Sequence, residues 1–235
     1  MVRVLAVNGS PRRAKGNTAL VLRSLLEGAE AAGAETETVI VDELELKPCT
    51  CGAMRCWYGT PGECCIRDGM DAVYPRLRAA DTLVLASPVY VPLPGRMQDF
   101  LNRVCPLMEP RLEFHDGRTR ARVRPGVALR RIALVTTGDW WERENSARLV
   151  GIARELAEVM NIGFAGAAIR PHALAMWKDK QLTPGAVEAL AAAKRAGTEL
   201  VRDGTMSEET LAAVSRPLVP EETLRGMYNN WLRGD

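Results

Sequence analysis

The sequence predicts a doubly wound α/β fold built on a parallel sheet, and three observations carry that prediction. Short apolar runs alternate with amphipathic stretches of helical period along most of the chain. The run Asp81 to Ala86 is almost wholly apolar, as a strand covered by helices on both faces must be. The chain has 235 residues, 47% of them hydrophobic, enough to bury a substantial core in one large domain rather than two small ones.

The elements follow in order. Arg3 to Val7 is the first apolar strand, and a polar loop leads into Asn17 to Ala32, which places Leu22, Leu25, Leu26 and Ala29 on one helical face. Glu37 to Val41, rich in Thr, Val and Ile, reads as the second strand, and Asp81 to Ala86 as the third. Pro94 to Val104 forms a helix opened by proline and glycine. The densest basic stretch, Arg118 to Arg131, reads as a solvated connection, and Arg131 to Thr136 as the fourth strand. Glu142 to Met160 sets Leu149, Ile152, Leu156 and Val159 at spacings of three and four, so it is a long amphipathic helix. Phe164 to Ile169 is the last strand, and Gly185 to Arg202 is an alanine-rich final helix with Pro184 as its start signal. Two segments stand outside the alternation: a cysteine-rich insertion, Asp42 to Met70, and a tail, Met206 to Asp235, with Pro217, Pro220, Tyr228 and Trp231. The expected organisation is one domain over 1–205 and a tail over 206–235 that packs on a neighbouring surface, a dimer partner being one candidate.

A formal charge of +2 with interspersed acids and bases gives no electrostatic case for nucleic acid or a membrane surface. No apolar run approaches the roughly 18 residues of a membrane span, and MVRVLAV is too short for a signal peptide, so the expected compartment is the cytoplasm. Five of the six cysteines, Cys49, Cys51, Cys56, Cys64 and Cys65, crowd between positions 49 and 65, which in such a chain reads as metal or redox chemistry before structural disulfides.

In doubly wound sheets, ligands sit beyond the carboxyl ends of the strands. The loop after the first strand, "NGSPRRAKGNT", offers donors from Ser10, Asn17 and Thr18, close backbone approach at Gly9 and Gly16, the positive end of the next helix, and charge from Arg12 and Arg13. It is neither a P-loop nor a dinucleotide fingerprint, and from its chemistry alone it suits a phosphate or a plain turn with an N-cap.

The same loop resembles the G-S-P-R-x-x-G-N-T phosphate loop of the flavodoxin-like NAD(P)H-dependent FMN reductases. "SPVYVPLPGRMQDFLNR", Ser87 to Arg103, resembles that family's second signature, and "TTGDWWERENSARL", Thr136 to Leu149, its third flavin-contacting loop. The similarity runs through most of residues 2 to 203. It implies a five-stranded parallel sheet of order 2-1-3-4-5 with helices on both faces, FMN as cofactor and NAD(P)H as co-substrate. It also implies a homodimer or homotetramer with flavins near subunit boundaries. Carried over by position, Ser10, Arg12, Asn17 and Thr18 would bind the FMN phosphate. Pro88, Val89 and Tyr90 would line the isoalloxazine ring, and Thr136, Thr137 and Gly138 would meet its pyrimidine edge. Simpler roles stay open: Pro88 as a strand end, Tyr90 as a half-buried aromatic, Trp140 and Trp141 as packing or a dimer contact. Gln98 and Asn102 stand where many relatives have lysine and aspartate, a departure expected to affect helix surface and subunit pairing.

"KPCTCGAMRCWYGTPGECCIRDGM", Lys47 to Met70, resembles the insertion of the iron-sulfur flavoprotein branch of that family. Cys56, Trp57, Cys64, Asp68 and Met70 fall in place, whereas Thr50 and Ala53 occupy positions where the pattern has cysteines. Cys49, Cys51, Cys56 and Cys64 are the candidate ligands of a [4Fe-4S] cluster, with Cys65 spare. Zinc, or thiols without metal, are the competing occupants, and Cys105 reads as a packed thiol. Two functions follow. One is an FMN oxidoreductase that takes hydride from NAD(P)H and reduces a quinone, flavin, iron or small organic acceptor, the flavin rather than a side chain carrying the chemistry. The other is an electron carrier passing single electrons between FMN, the cluster and a protein partner. A binding module that has lost the flavin is a third, disfavoured by intact Ser10, Asn17, Thr18 and Tyr90.

Overall fold

Five parallel strands form the centre of the computed structural model, which describes residues 1–52, 54–115 and 117–233. In chain order the elements are β1 (Arg3–Asn8), α1 (Asn17–Ala31), β2 (Glu35–Ile40), α2 (Arg55–Tyr58), α3 (Met70–Ala79), β3 (Thr82–Pro88) and α4 (Gly95–Asn102). There follow β4 (Met108–His115), β5 (Arg118–Val123), β6 (Arg131–Thr137), α5 (Ala147–Val159), β7 (Gly163–Arg170), β8 (Trp177–Lys178) and β9 (Gln181–Leu182). The chain closes with α6 (Pro184–Arg202), α7 (Glu208–Ser215) and α8 (Glu221–Arg233). The sheet runs β2-β1-β3-β6-β7, all parallel, which is the expected order once the β4–β5 hairpin is counted.

Successive side chains of a strand point to opposite faces, and here both faces are covered. Leu5, Val7, Leu83, Leu85, Ile132 and Leu134 pack with α3, α4 and α5, whereas Val4, Ala6, Val84, Ala86, Ala133 and Val135 pack with α1 and α6. On the second face the alanines of α6 let it approach α1 until backbones touch. A Cβ at Gly28 would lie 1.8 Å from the Lys194 carbonyl oxygen, and one at Gly197 1.8 Å from that of Leu25, so only glycine fits at either crossing point.

Three segments differ from the sequence reading. The basic stretch is not a solvated connection: β4 and β5 pair as an antiparallel hairpin. Its arginines find carboxylates, Arg122 at Glu109 (2.6 Å) and Glu113 (3.0 Å), Arg118 and Arg120 at Glu158 of α5. Helix α3 has no counterpart in the expected elements because Pro75 lies inside it; Met70, Val73, Tyr74 and Leu77 nonetheless bury one face. The long helix expected from Glu142 begins instead with a 3-10 turn, Arg143–Ser146, and Ile152, Leu156 and Val159 are only half-buried. In the tail, α7 packs on α6 and β7 of the same chain. Ala53 and the side chain of Trp231 lie outside the described residues.

Candidate functional site

The carboxyl ends of β1, β3, β6 and β7 bring the expected loops together. Asn8, the last residue of β1, shapes the first of them: its Oδ1 accepts the Ser10 N–H at 2.9 Å and its Nδ2 donates to the Arg13 carbonyl at 3.1 Å. Ser10 is thereby buried, with the Arg12 N–H donating to its Oγ at 3.3 Å. A Cβ at Gly16 would crowd that Oγ at 3.0 Å, so a larger residue there would push on Ser10. Helix α1 then starts with no side-chain cap and no acid in its first turn, so its first amide N–H groups and positive end face the loop.

Hydrogen bonds tie this loop to its neighbours. The buried hydroxyls of Thr18 and Thr137 meet at 2.7 Å, and Asn17 Nδ2 donates to the Ala173 carbonyl at 3.1 Å. The Val89 N–H donates to the Thr137 carbonyl at 2.8 Å, and Gly138 lies so close to Val89 that a Cβ would touch its side chain at 3.4 Å. Gly138 in turn donates to the Arg170 carbonyl (3.1 Å) and accepts from the Ala173 N–H (2.9 Å). Thr136 is fully buried and its hydroxyl has no partner. A bare helix terminus, a buried Ser10 and an orphaned hydroxyl at the strand ends fit a ligand that carries a phosphate at one end and hydrogen-bonding edges at the other.

The site residues open on two cavities. Arg12 and Asn17 line one of about 650 Å³ together with Asp139, Trp177 and Tyr228; Tyr90 lines another of about 860 Å³, a groove between α4 and α5. Tyr90, half-exposed, lines the groove and not the cavity of Asn17, and Pro88 and Val89 before it are partly buried. Asn17 is also already engaged, since Trp177 Nε1 donates to its Oδ1 at 2.8 Å. Arg13 turns to Asp42 at 2.8 Å and away from the loop. Withdrawal from water lifts the Asp139 carboxyl above its usual range, only partly offset by the Leu174 N–H and Arg12.

The segment Arg170–Ala173 is the part of the site that sequence reasoning missed. His172 stacks on Trp141 with ring centroids 4.6 Å apart, and its Nε2 lies 2.9 Å from the Trp141 carbonyl. Burial, with nearby Arg170, holds the imidazole below its usual pKa despite the Trp141 carbonyl, so it is neutral at pH 7. The available signal was an arginine and a histidine at the carboxyl end of an apolar strand, where a doubly wound sheet places its ligands.

The cysteine insertion is anchored from below by a buried ion pair. Arg103 donates through both Nη atoms to Asp68 at 2.7 and 3.0 Å, with side chains 0% and 1% exposed. Burial pushes the Asp68 carboxyl up, but Arg103 and the N–H groups of Lys47 and Met70 outweigh it and hold it below the usual carboxylate range. The insertion also rests on α4 through Arg96, which donates to the Leu44 and Leu46 carbonyls. The Cys56 thiol is pushed up to about 11, first by burial and then by neighbouring Cys105, Cys51 and Cys64. Cys65 and Cys105 are raised too, in each case mainly by desolvation. Cys105 is thus a neighbour of the cluster rather than apart from it, its carbonyl accepting from Trp57 Nε1 at 2.9 Å. Yet among the described residues no three His, Cys, Asp or Glu side chains are arranged to hold a metal ion. The thiols of Cys49, Cys51, Cys56 and Cys64 nonetheless share one neighbourhood with Cys65 and Cys105, close enough for their charges to act on one another.

Residues 2–129 match the model of the family described as NADPH-dependent FMN reductase. The chain is 37% identical over 91 residues to the iron-sulfur flavoprotein of Methanosarcina thermophila, covering 38% of this chain and 45% of that protein. A second iron-sulfur flavoprotein, from Methanocaldococcus jannaschii, is 37% identical over 89 residues, 38% of this chain and 44% of its own. The chain thus matches under half the length of these curated relatives. In structure it is similar to the NAD(P)H:quinone oxidoreductase of Methanothermobacter marburgensis, with TM-score 0.58 and 17% identity over 85% of this chain and 98% of the other. An FMN-dependent NADH-azoreductase from Bacillus anthracis gives TM-score 0.57 and 14% identity over 86% and 100%. These likenesses show a shared flavodoxin-like fold.

Proposed function

Because the chain belongs to the NADPH-dependent FMN reductase family, we propose that it is an FMN-dependent oxidoreductase. It takes hydride from NAD(P)H and passes electrons to a quinone, a free flavin, an iron centre or a small organic acceptor. The observation that carries this reading is the hydrogen-bonded ring Thr18–Thr137–Val89 and Gly138–Ala173–Asn17 around the uncapped start of α1.

When bound, FMN supplies a hydride acceptor at its N5, so no side chain needs to act as acid or base at that atom. The chain's own residues orient and screen. Ser10, Thr18 and the first amides of α1 hold the phosphate, and Arg12 adds charge from the surface. Pro88 and Val89 supply an apolar wall, and the end of β6 with Gly138 supplies backbone hydrogen-bonding groups for the ring edge. Tyr90 borders the groove between α4 and α5 that also carries Ile152, Leu156 and Val159.

The relatives named iron-sulfur flavoproteins favour a second reading, an electron carrier working through a [4Fe-4S] cluster. It ranks below the reductase because Thr50 and Ala53 stand where that branch's pattern has cysteines. We place the protein in the cytoplasm as a homo-oligomer, with half-buried Ile152, Leu156 and Val159 as the apolar face available to a second copy. Among the described residues no helix is long and apolar enough to cross a membrane.

The test is the absorption spectrum of protein purified without oxygen, followed by anaerobic addition of NADPH or NADH. Resolved flavin bands that bleach with a nicotinamide support the reductase, and a Ser10→Ala/Thr18→Ala variant should lose FMN on gel filtration. A colourless protein that takes up no FMN on titration overturns the reading; iron with acid-labile sulfide moves the carrier ahead.

A further inference from the structure

Arg103 and Arg170 are both buried to 1% exposure or less, but their charges are handled differently. Arg103 is neutralised by Asp68. Arg170 donates instead to the carbonyl oxygens of Pro171 (2.6 Å), Val214 (2.7 Å) and Arg216 (2.7 Å), and its Nη2 lies 3.4 Å from His172 Nδ1. Val214 belongs to the last turn of α7, so the guanidinium closes the negative end of that helix. Carbonyl dipoles solvate a cation without cancelling its charge. Burial lowers Arg170 only to about 10, so the proton stays at neutral pH. One full positive charge is therefore held inside the protein without a carboxylate.

Its position is the second observation. Arg170 ends β7 and is the register partner of Thr137 on β6. Its carbonyl receives the Gly138 N–H, and two residues on, His172 supports Trp141 while Ala173 bonds both Gly138 and Asn17. Packing alone would be served by an apolar residue at such a strand end, as at the neighbouring Ile169.

We propose that Arg170 is an electrostatic positioning residue of the flavin site: its uncompensated charge, one strand from the Thr137–Gly138 turn, favours the reduced ring over the oxidised one. The inference rests on the reading of the site given above. Negative charge collects on the pyrimidine edge when the ring is reduced, and a fixed cation across a low-dielectric wall stabilises that state selectively. The chain pays for this with a desolvated guanidinium, which the α7 terminus helps to hold.

The experiment compares His172→Asp with His172→Asn. Both side chains are nearly isosteric and tolerate the left-handed backbone of His172 (φ 57°), but only aspartate sets a carboxylate beside Arg170. Dissociation constants for oxidised FMN and for dithionite-reduced FMN are measured anaerobically for each. The ratio of reduced to oxidised constants should be at least tenfold higher for His172→Asp than for His172→Asn, equivalent to a two-electron potential about 30 mV more negative. Arg170→Met should shift the ratio in the same direction, and Arg170→Lys should restore it. Equal ratios in the two His172 variants overturn the proposal whether or not Arg170→Met folds, because a purely structural role would weaken both flavin states alike. A wild-type protein that binds neither state removes the flavin reading and this inference with it; a wild type that binds both, with equal variant ratios, removes the inference alone.

Discussion

Replacing Asp68 with asparagine should cost this protein a large share of its stability. The carboxylate accepts four hydrogen bonds, from Arg103 Nη1 (2.7 Å) and Nη2 (3.0 Å) and from the Lys47 (2.9 Å) and Met70 (3.0 Å) amides. Asparagine keeps one acceptor oxygen and turns an NH₂ toward donors. The guanidinium then stays buried with only the Lys47 and Ile66 carbonyls, its Nε having no partner even in the native protein. Breaking a fully buried pair from one side costs about 3–5 kcal/mol, against a total of about 5–15 kcal/mol for a folded domain. At about 2–4 °C per kcal/mol for a chain of this size, the midpoint of thermal unfolding falls by about 6–20 °C. Equilibrium urea unfolding followed by tryptophan fluorescence measures the loss directly. The double variant Asp68→Asn/Arg103→Met, which leaves no buried charge, should be more stable than Asp68→Asn alone. A loss under about 1 kcal/mol, or a double variant no better than the single, refutes the reasoning.

Gly197→Ala should destabilise by at least about 1–3 kcal/mol, the range for overpacking, because the new methyl meets the Leu25 carbonyl on a backbone that cannot swing aside; chemical denaturation reads it, and a neutral result would mean that α1 and α6 are further apart than described. Acid should weaken the site through His172. Its folded pKa lies below the unfolded value of about 6.5, so the neutral ring contributes stability that is complete above about pH 6.5 and drains as pH falls through the folded value. Thermal melts between pH 7.5 and 5 should show this decline in the wild type and a flatter profile in His172→Asn; parallel profiles would assign the acid sensitivity elsewhere.

Much of the fold was legible because it is written in apolar periodicity. Leu83, Val84 and Leu85 read as a doubly covered strand and are one, since burial on both faces leaves no other pattern open. The hairpin was not legible, because Arg118, Arg120 and Arg122 look solvated until Glu109, Glu113 and Glu158 are folded against them. Helix α3 was hidden by Pro75, whose breaking effect is overridden by burial of Val73 and Leu77. At the site, Ser10, Thr18 and Gly138 could be placed because their loops follow strands directly. Arg170 and His172 could not, because each acts through a contact made by residues distant in sequence, Arg170 with Val214 being the extreme; Asn8 is local, bonding Ser10 and Arg13, but reads as one more apolar-strand terminus until the loop is closed over it.

Helix α4 is only eight residues long, yet it touches both the loop after β1 and the cysteine insertion. Met97 presses on Gly9 of the loop after β1, where a Cβ would stand 2.6 Å from its sulfur, while Arg96, beside it, holds the thiol-bearing insertion and Arg103, just past its end, locks that insertion in place. A change in the insertion that displaces this short rod is therefore felt at Gly9 as well. Chimaeras that graft a relative's insertion without its α4 should lose both partners' fitness at once.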